Sequence, residues 1–481
     1  MREKLDTENI LLGIFLSIFL AITVVMGLLV YSKPSYPPDT TLKVLIPADT
    51  QYVDRQQKLN DEYAKIHPDI HVETIRFPWE TIWQKLEFLI VANIPPDVAG
   101  MQQPNLPKFV YADEVEPLDD WIKNDPTFDA SGLFPECMDE CSWNDTLWAL
   151  PESFSTVSLW YNKDLFDEAG VPYPNRDWTQ EDLVAAAKKL TRDTNGDGVP
   201  DYWGFYSDNN HHNRYPAWVW QQGAEIMSPD LMRATFDDPK TVTAMQWLAD
   251  LGLKERVMPT GVVMGTFNAT NLFISGHLAM TTQTRYFLTN FFFDKNRYKV
   301  KSFNWDVSEL PHGARRATTF VLDLDIIPKT VAPERKKMAW DYMKFLITGG
   351  GQKIIADDNT ALPALKALAE QAVVHPDRPP ANDRAFLDSI SYARYLYWPF
   401  PAEEAFMAGR SDFQGVWNGD LTADEVCRKV TLDMNKAVDD FLRENPGARL
   451  PVKTRWVAPD RRAPKTEVAG GDKAPQGPGG S

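Results

Sequence analysis

At 481 residues the chain is too long for one ordinary hydrophobic core and suits two lobes with added segments. Its 67 acidic against 50 basic residues give a formal charge of −17, which excludes nucleic acid as a partner because no basic surplus exists to neutralise phosphates. Hydrophobic content of 43% with 24% charged residues describes a folded body, and sixteen Trp suffice for a core and for aromatic platforms in a cleft.

Residues 9–32 carry no charge and are long enough to cross a bilayer as a helix. They are expected to form an uncleaved transmembrane anchor (1–32), with a cleaved signal peptide as the alternative. A stiff Pro-rich linker (33–40) follows. Thr41–Pro47 reads as a buried first strand, 53–66 as a helix and Ile70–Arg76 as a second strand. A helix over Thr81–Ala92 and a strand over Pro95–Met101 complete a βαβαβ rhythm. That rhythm predicts a mostly parallel sheet covered by helices on both faces. Cys137 and Cys141 stand four apart without the further ligands a zinc site needs. A local disulfide and a pair of reduced thiols both remain open there, and Cys427 stands alone.

The stretch from Leu147 to Phe205 holds the densest pattern. Val157–Tyr161 alternates apolar and polar residues as a strand does, Lys163–Ala169 is a short helix, and Thr179 with Asp182 forms a capping box that opens a second helix. The loop Asp193-Thr-Asn-Gly-Asp-Gly198 closes it. Further on, Asp237 to Leu253 is a periodic helix, Phe273–Met280 reads Phe-Ile-Ser-Gly-His-Leu-Ala-Met, and Thr318–Pro328 is a strand. Pro333–Ile347 is an amphipathic helix. From Val457 the chain turns to Pro, Gly and charge, so 456–481 is expected to be a disordered tail.

The ordered series Tyr-Asn-Lys-Asp-Leu-Phe (161–166), Trp178-Thr-Gln-Glu-Asp182, Asp-Gly (197–198), Pro-Pro-Asp-Val (95–98) and Gly-His-Leu-Ala-Met (276–280) resembles the extracellular solute-binding proteins that include the maltose-binding protein. The resemblance implies a two-lobed α/β periplasmic-binding-protein fold with hinge crossing strands. It implies a first lobe of 41–150 and 278–320, and a second of 151–277 and 321–455. It also implies a body outside the cytoplasmic membrane, a mono- or oligosaccharide ligand, and delivery to ABC permease subunits. Two departures stand out. Thr284-Arg285-Tyr286 replaces the usual Gly-x-Trp, and Thr318-Thr319 replaces a Gly pair, so side chains stand where the family lets backbone approach the ligand.

A polyhydroxylated ligand needs flat apolar faces for its CH groups and paired donors or acceptors for its hydroxyls. Asp49 and Gln51 follow the first strand and Gln102 and Gln103 follow the third, at carboxyl ends where open sheets bind ligands. Glu152 and Ser153 lie at the first crossing, and Arg285 and Tyr286 at the second. Trp218, Trp220 and Gln221 fall where the resemblance places second-lobe contacts, with Trp79 and Trp398 as weaker candidates. Asp193, Asn195, Asp197 and Asp201 have the oxygen spacing of a calcium loop but lack its final Glu, so a structural calcium and a tight Asx turn both fit. No Gly-x-Ser-x-Gly elbow, His-Glu-x-x-His helix or Walker loop occurs, so a non-enzyme is expected. A tethered sensor and, less so, an extracytoplasmic carbohydrate-active enzyme are the alternatives.

Overall fold

The computed structural model describes residues 37–459 apart from 208–213, 262–263, 265–268, 290–302, 376, 396 and 398–399. The expected anchor, Trp398 and residues 460–481 lie outside that set. Strand β1 (Thr41–Pro47) is buried at every position but Lys43. It is followed by α1 (Thr50–Ile66), β2 (His71–Phe77), α2 (Ile82–Val91) and β3 (Val98–Gln102). Helix α2 buries Ile82, Leu86 and Ile90, four residues apart and therefore on one face. β1 pairs in parallel with both β2 and β3, as the βαβαβ rhythm predicts.

The long strand β4 (Leu150–Asn162) carries the chain out of this sheet, and twelve of its thirteen residues are buried. Helices α3 (Gln180–Leu190), α4 (Tyr215–Gln221) and α5 (Pro239–Leu253) then build the second lobe. Thr179 and Asp182 cap α3 reciprocally, as expected from their spacing. Strands β5 (Met280–Thr284) and β6 (Trp305–Ser308) both pair with the far half of β4, from Val157 to Asn162. Strand β7 (Thr318–Ile326) pairs with the near half, Leu150–Thr156, and with β3. The first-lobe sheet is completed by α6 (Pro333–Ile347), α7 (Gly349–Asp358) and a two-strand-residue edge β8 (Leu362–Pro363), in the order β8-β4-β7-β3-β1-β2. A last bridge, β9 (Ala393–Arg394), pairs with Thr318 and Thr319 before α8 (Glu403–Asn418) and α9 (Ala423–Glu444) close the second lobe.

These pairings redraw the expected division. Strands β5 and β6 bond the second-lobe half of β4, while Phe287, Leu288, Trp305 and Val307 pack into the same core as Leu45 and Leu324. Residues 321–374 do not join the second lobe, because β7 inserts between β4 and β3 while α6 and α7 pack on α1. Two apolar cores result. One contains Leu45, Leu86, Phe154, Leu324 and Tyr342; the other contains Leu183, Trp218, Leu248, Phe413 and Val430.

Two further expectations change, and the alternative left open for the cysteines is decided. The first-lobe sheet is mixed rather than mostly parallel, since β4, β7 and β8 run antiparallel to their neighbours. Cys137, Cys141 and Cys427 are buried free thiols. Cys137 and Cys141 lie one helical turn apart, where Cβ atoms stand about 5–6 Å apart, beyond the ~3.8 Å a disulfide needs. The start of the expected tail is docked: the Trp456 amide donates to Asp139 at 2.8 Å, next to Lys453, whose ammonium binds the Asp139 carbonyl beside Trp143.

Candidate functional site

Strand β7 reads Thr-Thr-Phe-Val-Leu-Asp-Leu-Asp-Ile, and its period of two puts Asp323 and Asp325 on one face with Leu322, Leu324 and Ile326 on the other. Both acids are about 95% buried, at 5% and 4% exposure. Asp325 lies opposite Gly100 on β3.

Helix α1 brings Tyr52 and Arg55 over these acids. The Arg55 guanidinium is 3.3 Å from Glu152 and 5.0 Å from the centre of the Tyr52 ring. Asp323 Oδ2 accepts from the hydroxyls of Tyr286, at 2.8 Å, and Tyr52, at 3.3 Å. Ser153 Oγ lies 3.4 Å from the Tyr286 hydroxyl. Asp323 Oδ1 and Asp325 Oδ2 meet no hydrogen-bonding partner among the described residues. The rim is aromatic: Tyr52 stacks on Trp79 at 5.9 Å, and Trp79 meets Trp83 edge-on at 5.8 Å. About 30 Å³ of free space is left among these groups, room for one or two water-sized groups.

Burial, then the negative charge of Glu152, lifts the Asp323 carboxyl to about 6 against the pull of Arg55 and the two tyrosine hydroxyls. Asp325 is pushed up by burial first and by Glu152 next. Burial also raises the Tyr52 and Tyr286 phenols. Arg55 stays firmly cationic: burial opposes its charge, and Glu152 and Asp358 more than restore it. The pocket therefore holds one guanidinium and an excess of carboxyl groups, at the carboxyl ends of β1 and β3, where open sheets take ligands.

A second concavity, of about 300 Å³, opens between Trp220, Met227, Arg394 and Tyr395. Arg394 lies over the Trp220 ring at 5.1 Å and bonds both oxygens of Glu225, at 2.9 and 2.8 Å. Arg394 pairs with Thr319, four residues along β7 from Asp323, so the two hollows lie about 13 Å apart along one strand at ~3.3 Å per residue.

Of the residues expected from sequence, Glu152, Ser153 and Tyr286 gather around Asp323, Trp79 joins the rim, and Trp220 lines the second concavity. Trp218 does not reach a cleft. It is wholly buried against Phe205 and Trp247, and its indole N–H donates to Ser207 at 3.2 Å. Gln221 is equally buried, held by Gln180 and the Ala317 carbonyl. Arg285 is not available to a ligand: it forks onto Asp383 at 2.9 and 2.5 Å and donates to the Ala361 carbonyl at 3.0 Å, with no exposure. Asp49 is an exposed residue at the start of α1, and the Gln51 side chain lies outside the described residues. Gln102 ends β3 and Gln103 follows it, but neither lines either hollow, and the Gln103 amide nitrogen is buried without a partner among the described residues.

Tyr52, Arg55, Asp323 and Asp325 were missed. The signal for the acids was the repeat Leu-Asp-Leu-Asp inside an otherwise apolar strand, because a carboxylate on a buried face needs a reason.

The loop with calcium spacing turns its oxygens inward. Asp193 accepts the Gly196 and Gly198 amides at 2.7 and 2.8 Å, Asn195 accepts Asp197, and Asp197 accepts Val199. Asp201 binds the Thr194 amide at 2.7 Å and Asn195 at 3.1 Å. No group of three or more His, Cys, Asp or Glu among the described residues could hold a metal ion. In this arrangement the loop forms a series of Asx turns.

A family model described as bacterial extracellular solute-binding protein matches residues 48–353, more than half of the chain. An ABC substrate-binding protein of Listeria monocytogenes, solved in complex with cycloalternan, is 26% identical, with a TM-score of 0.74 over 83% of this chain and 99% of its own. Maltose-bound T. maritima MalE3 shares the fold at 21% identity, with a TM-score of 0.68 over 82% of this chain and 99% of its own. A Brucella abortus (strain 2308) relative that carries the name of a binding protein is 25% identical over 319 residues, 65% of this chain and 73% of its own. These names denote binding, not catalysis.

Proposed function

The chain belongs to the bacterial extracellular solute-binding protein family, with an extracytoplasmic body of the ABC-transporter type, and on that premise we propose that it captures a carbohydrate and hands it to a permease. The observation that carries this reading is the aromatic-rimmed, acid-lined pocket of Tyr52, Trp79, Glu152 and Asp323, on first-lobe elements at the carboxyl ends of β1 and β3. Aromatic faces suit sugar CH groups, and buried carboxylate oxygens suit hydroxyl donors. The Listeria protein, solved with an oligosaccharide, supports the same ligand class.

Closure does the work in this reading. Two long crossing strands let the lobes rotate about a hinge, and a ligand bridging them biases the closed form by its differential affinity. Residues 9–32 hold the body at the outer face of the cytoplasmic membrane as a single-pass anchor. No bond in the ligand is made or broken.

The test is thermal unfolding of the full chain in detergent against mono- and oligosaccharides. A ligand at 100 times its dissociation constant should stabilise by about 2.7 kcal/mol. The shift should vanish in Trp79→Ala. Silence across the sugars, with a shift from amino acids or peptides instead, would overturn the carbohydrate reading.

A further inference from the structure

Resting on the solute-binding reading, we infer that the first-lobe pocket selects a ligand bearing a protonated amine, an amino sugar rather than a neutral one. The argument begins with charge. Glu152, Asp323 and Asp325 converge on a space that holds one guanidinium, and that guanidinium is engaged by Glu152 at 3.3 Å. Asp323 Oδ1 and Asp325 Oδ2 are left without partners among the described residues, on side chains about 95% buried. A buried carboxylate left in this way is costly unless a cation or several donors meet it.

Size narrows the occupant. The free space of about 30 Å³ admits a group the size of water or ammonium and no sugar ring. The ring would remain outside, against Tyr52 and Trp79, with its substituent inserted between the acids. A hydroxyl inserted there supplies one donor for two unpartnered carboxyl oxygens. An ammonium supplies three donors and a charge, and its bonds to carboxylate are roughly twice as strong as neutral ones. A divalent metal is a poorer occupant: no group of three ligating side chains exists among the described residues, and Arg55 stands beside the space.

Protonation gives the same answer. The groups acting on the two acids are Tyr52 and Arg55 from α1, Glu152 from β4, Tyr286 after β5, and Tyr342 from α6, with Asp358 at the end of α7 acting through Arg55. Without a ligand their sum lifts Asp323 to about 6, so the empty pocket takes up a proton in mild acid. An inserted ammonium needs the acids ionised and displaces that proton. Affinity for an amine-bearing ligand should therefore rise with pH through about 6, while a neutral sugar gains little.

The test is calorimetric titration of the full chain in detergent with glucosamine oligomers, their N-acetylated forms and glucose oligomers of equal length, at pH 5 and 7.5. The expected result is at least tenfold tighter binding of the free-amine series at pH 7.5, shrinking at pH 5. The preference should also disappear in Asp323→Asn and Asp325→Asn. Equal or tighter binding of the neutral series, or a free-amine preference unchanged by both substitutions and by pH, overturns the inference and leaves carbohydrate capture standing. Binding of no series overturns both. If either variant fails to fold, the pH dependence of the unaltered chain decides alone.

Discussion

The Tyr286 hydroxyl donates to Asp323 Oδ2 at 2.8 Å and so joins the end of a second-lobe strand to the first-lobe half of β7. The bond links β5 and β7, two strands that flank β4. Tyr286→Phe removes the donor without changing the packed ring. We expect a loss of about 1–2 kcal/mol in urea unfolding, since a buried acid loses a charge-assisted bond. Ligand affinity should fall in the same variant, because Asp323 then shifts further toward its protonated form.

Arg285 and Asp383 form a fully buried fork, with His375 2.7 Å from the same carboxylate. Burial opposes the Asp383 charge, but Arg285 and His375 prevail and hold its carboxyl below the usual range. Asp383→Ala leaves an uncompensated guanidinium in the interior and should cost about 3–5 kcal/mol by thermal or urea unfolding. A ligand role for Arg285 would show as lost affinity in Arg285→Met at temperatures where the variant is still folded. We expect unchanged affinity.

Stability should depend on pH with a definite sign. Asp323 at about 6 and Glu140, lifted by burial to about 8, both bind protons more tightly when folded than when unfolded. Their stabilising effect is fully present below the unfolded values and is lost as pH rises through about 6 and then about 8. For Asp323 the change is worth roughly 3 kcal/mol. Asp383 acts oppositely, losing its contribution as pH falls below the ordinary carboxylate value. The ligand-free chain should therefore unfold at a higher temperature at pH 5 than at pH 8.5, and a chain equally stable at both would contradict the burial of these acids.

The tryptophans separate by role. Trp218→Ala empties a wholly buried site and should cost about 3–5 kcal/mol, visible as a lowered melting temperature and poor soluble yield. Trp79→Ala, at a half-buried rim position, should cost about 1 kcal/mol or less and abolish the ligand-induced shift.

Chelation tests the 193–201 loop. Because its carboxylates already accept the loop's own amides, excess EDTA should leave the melting temperature unchanged. Asp193→Ala, which frees two amides, should lower stability by about 1 kcal/mol.

Local pattern was enough for much of this molecule. Thr41–Pro47, Lys163–Ala169, the Thr179–Asp182 capping box and Pro333–Ile347 lie where periodicity and capping chemistry put them, because these are set by neighbours a few residues away. Ordered motifs were likewise enough for the family.

Tertiary structure alone decided the rest. Where Met280–Thr284, Trp305–Ser308 and Thr318–Ile326 pair depends on strand partners more than a hundred residues distant, and no local period records a partner. Whether Arg285 meets a ligand or Asp383 depends on a carboxylate 98 residues away. The acids of the pocket lie on a strand whose sequence shows only that two charges share a face. Their meaning came from α1, whose Tyr52 and Arg55 are carried over that face by helix packing.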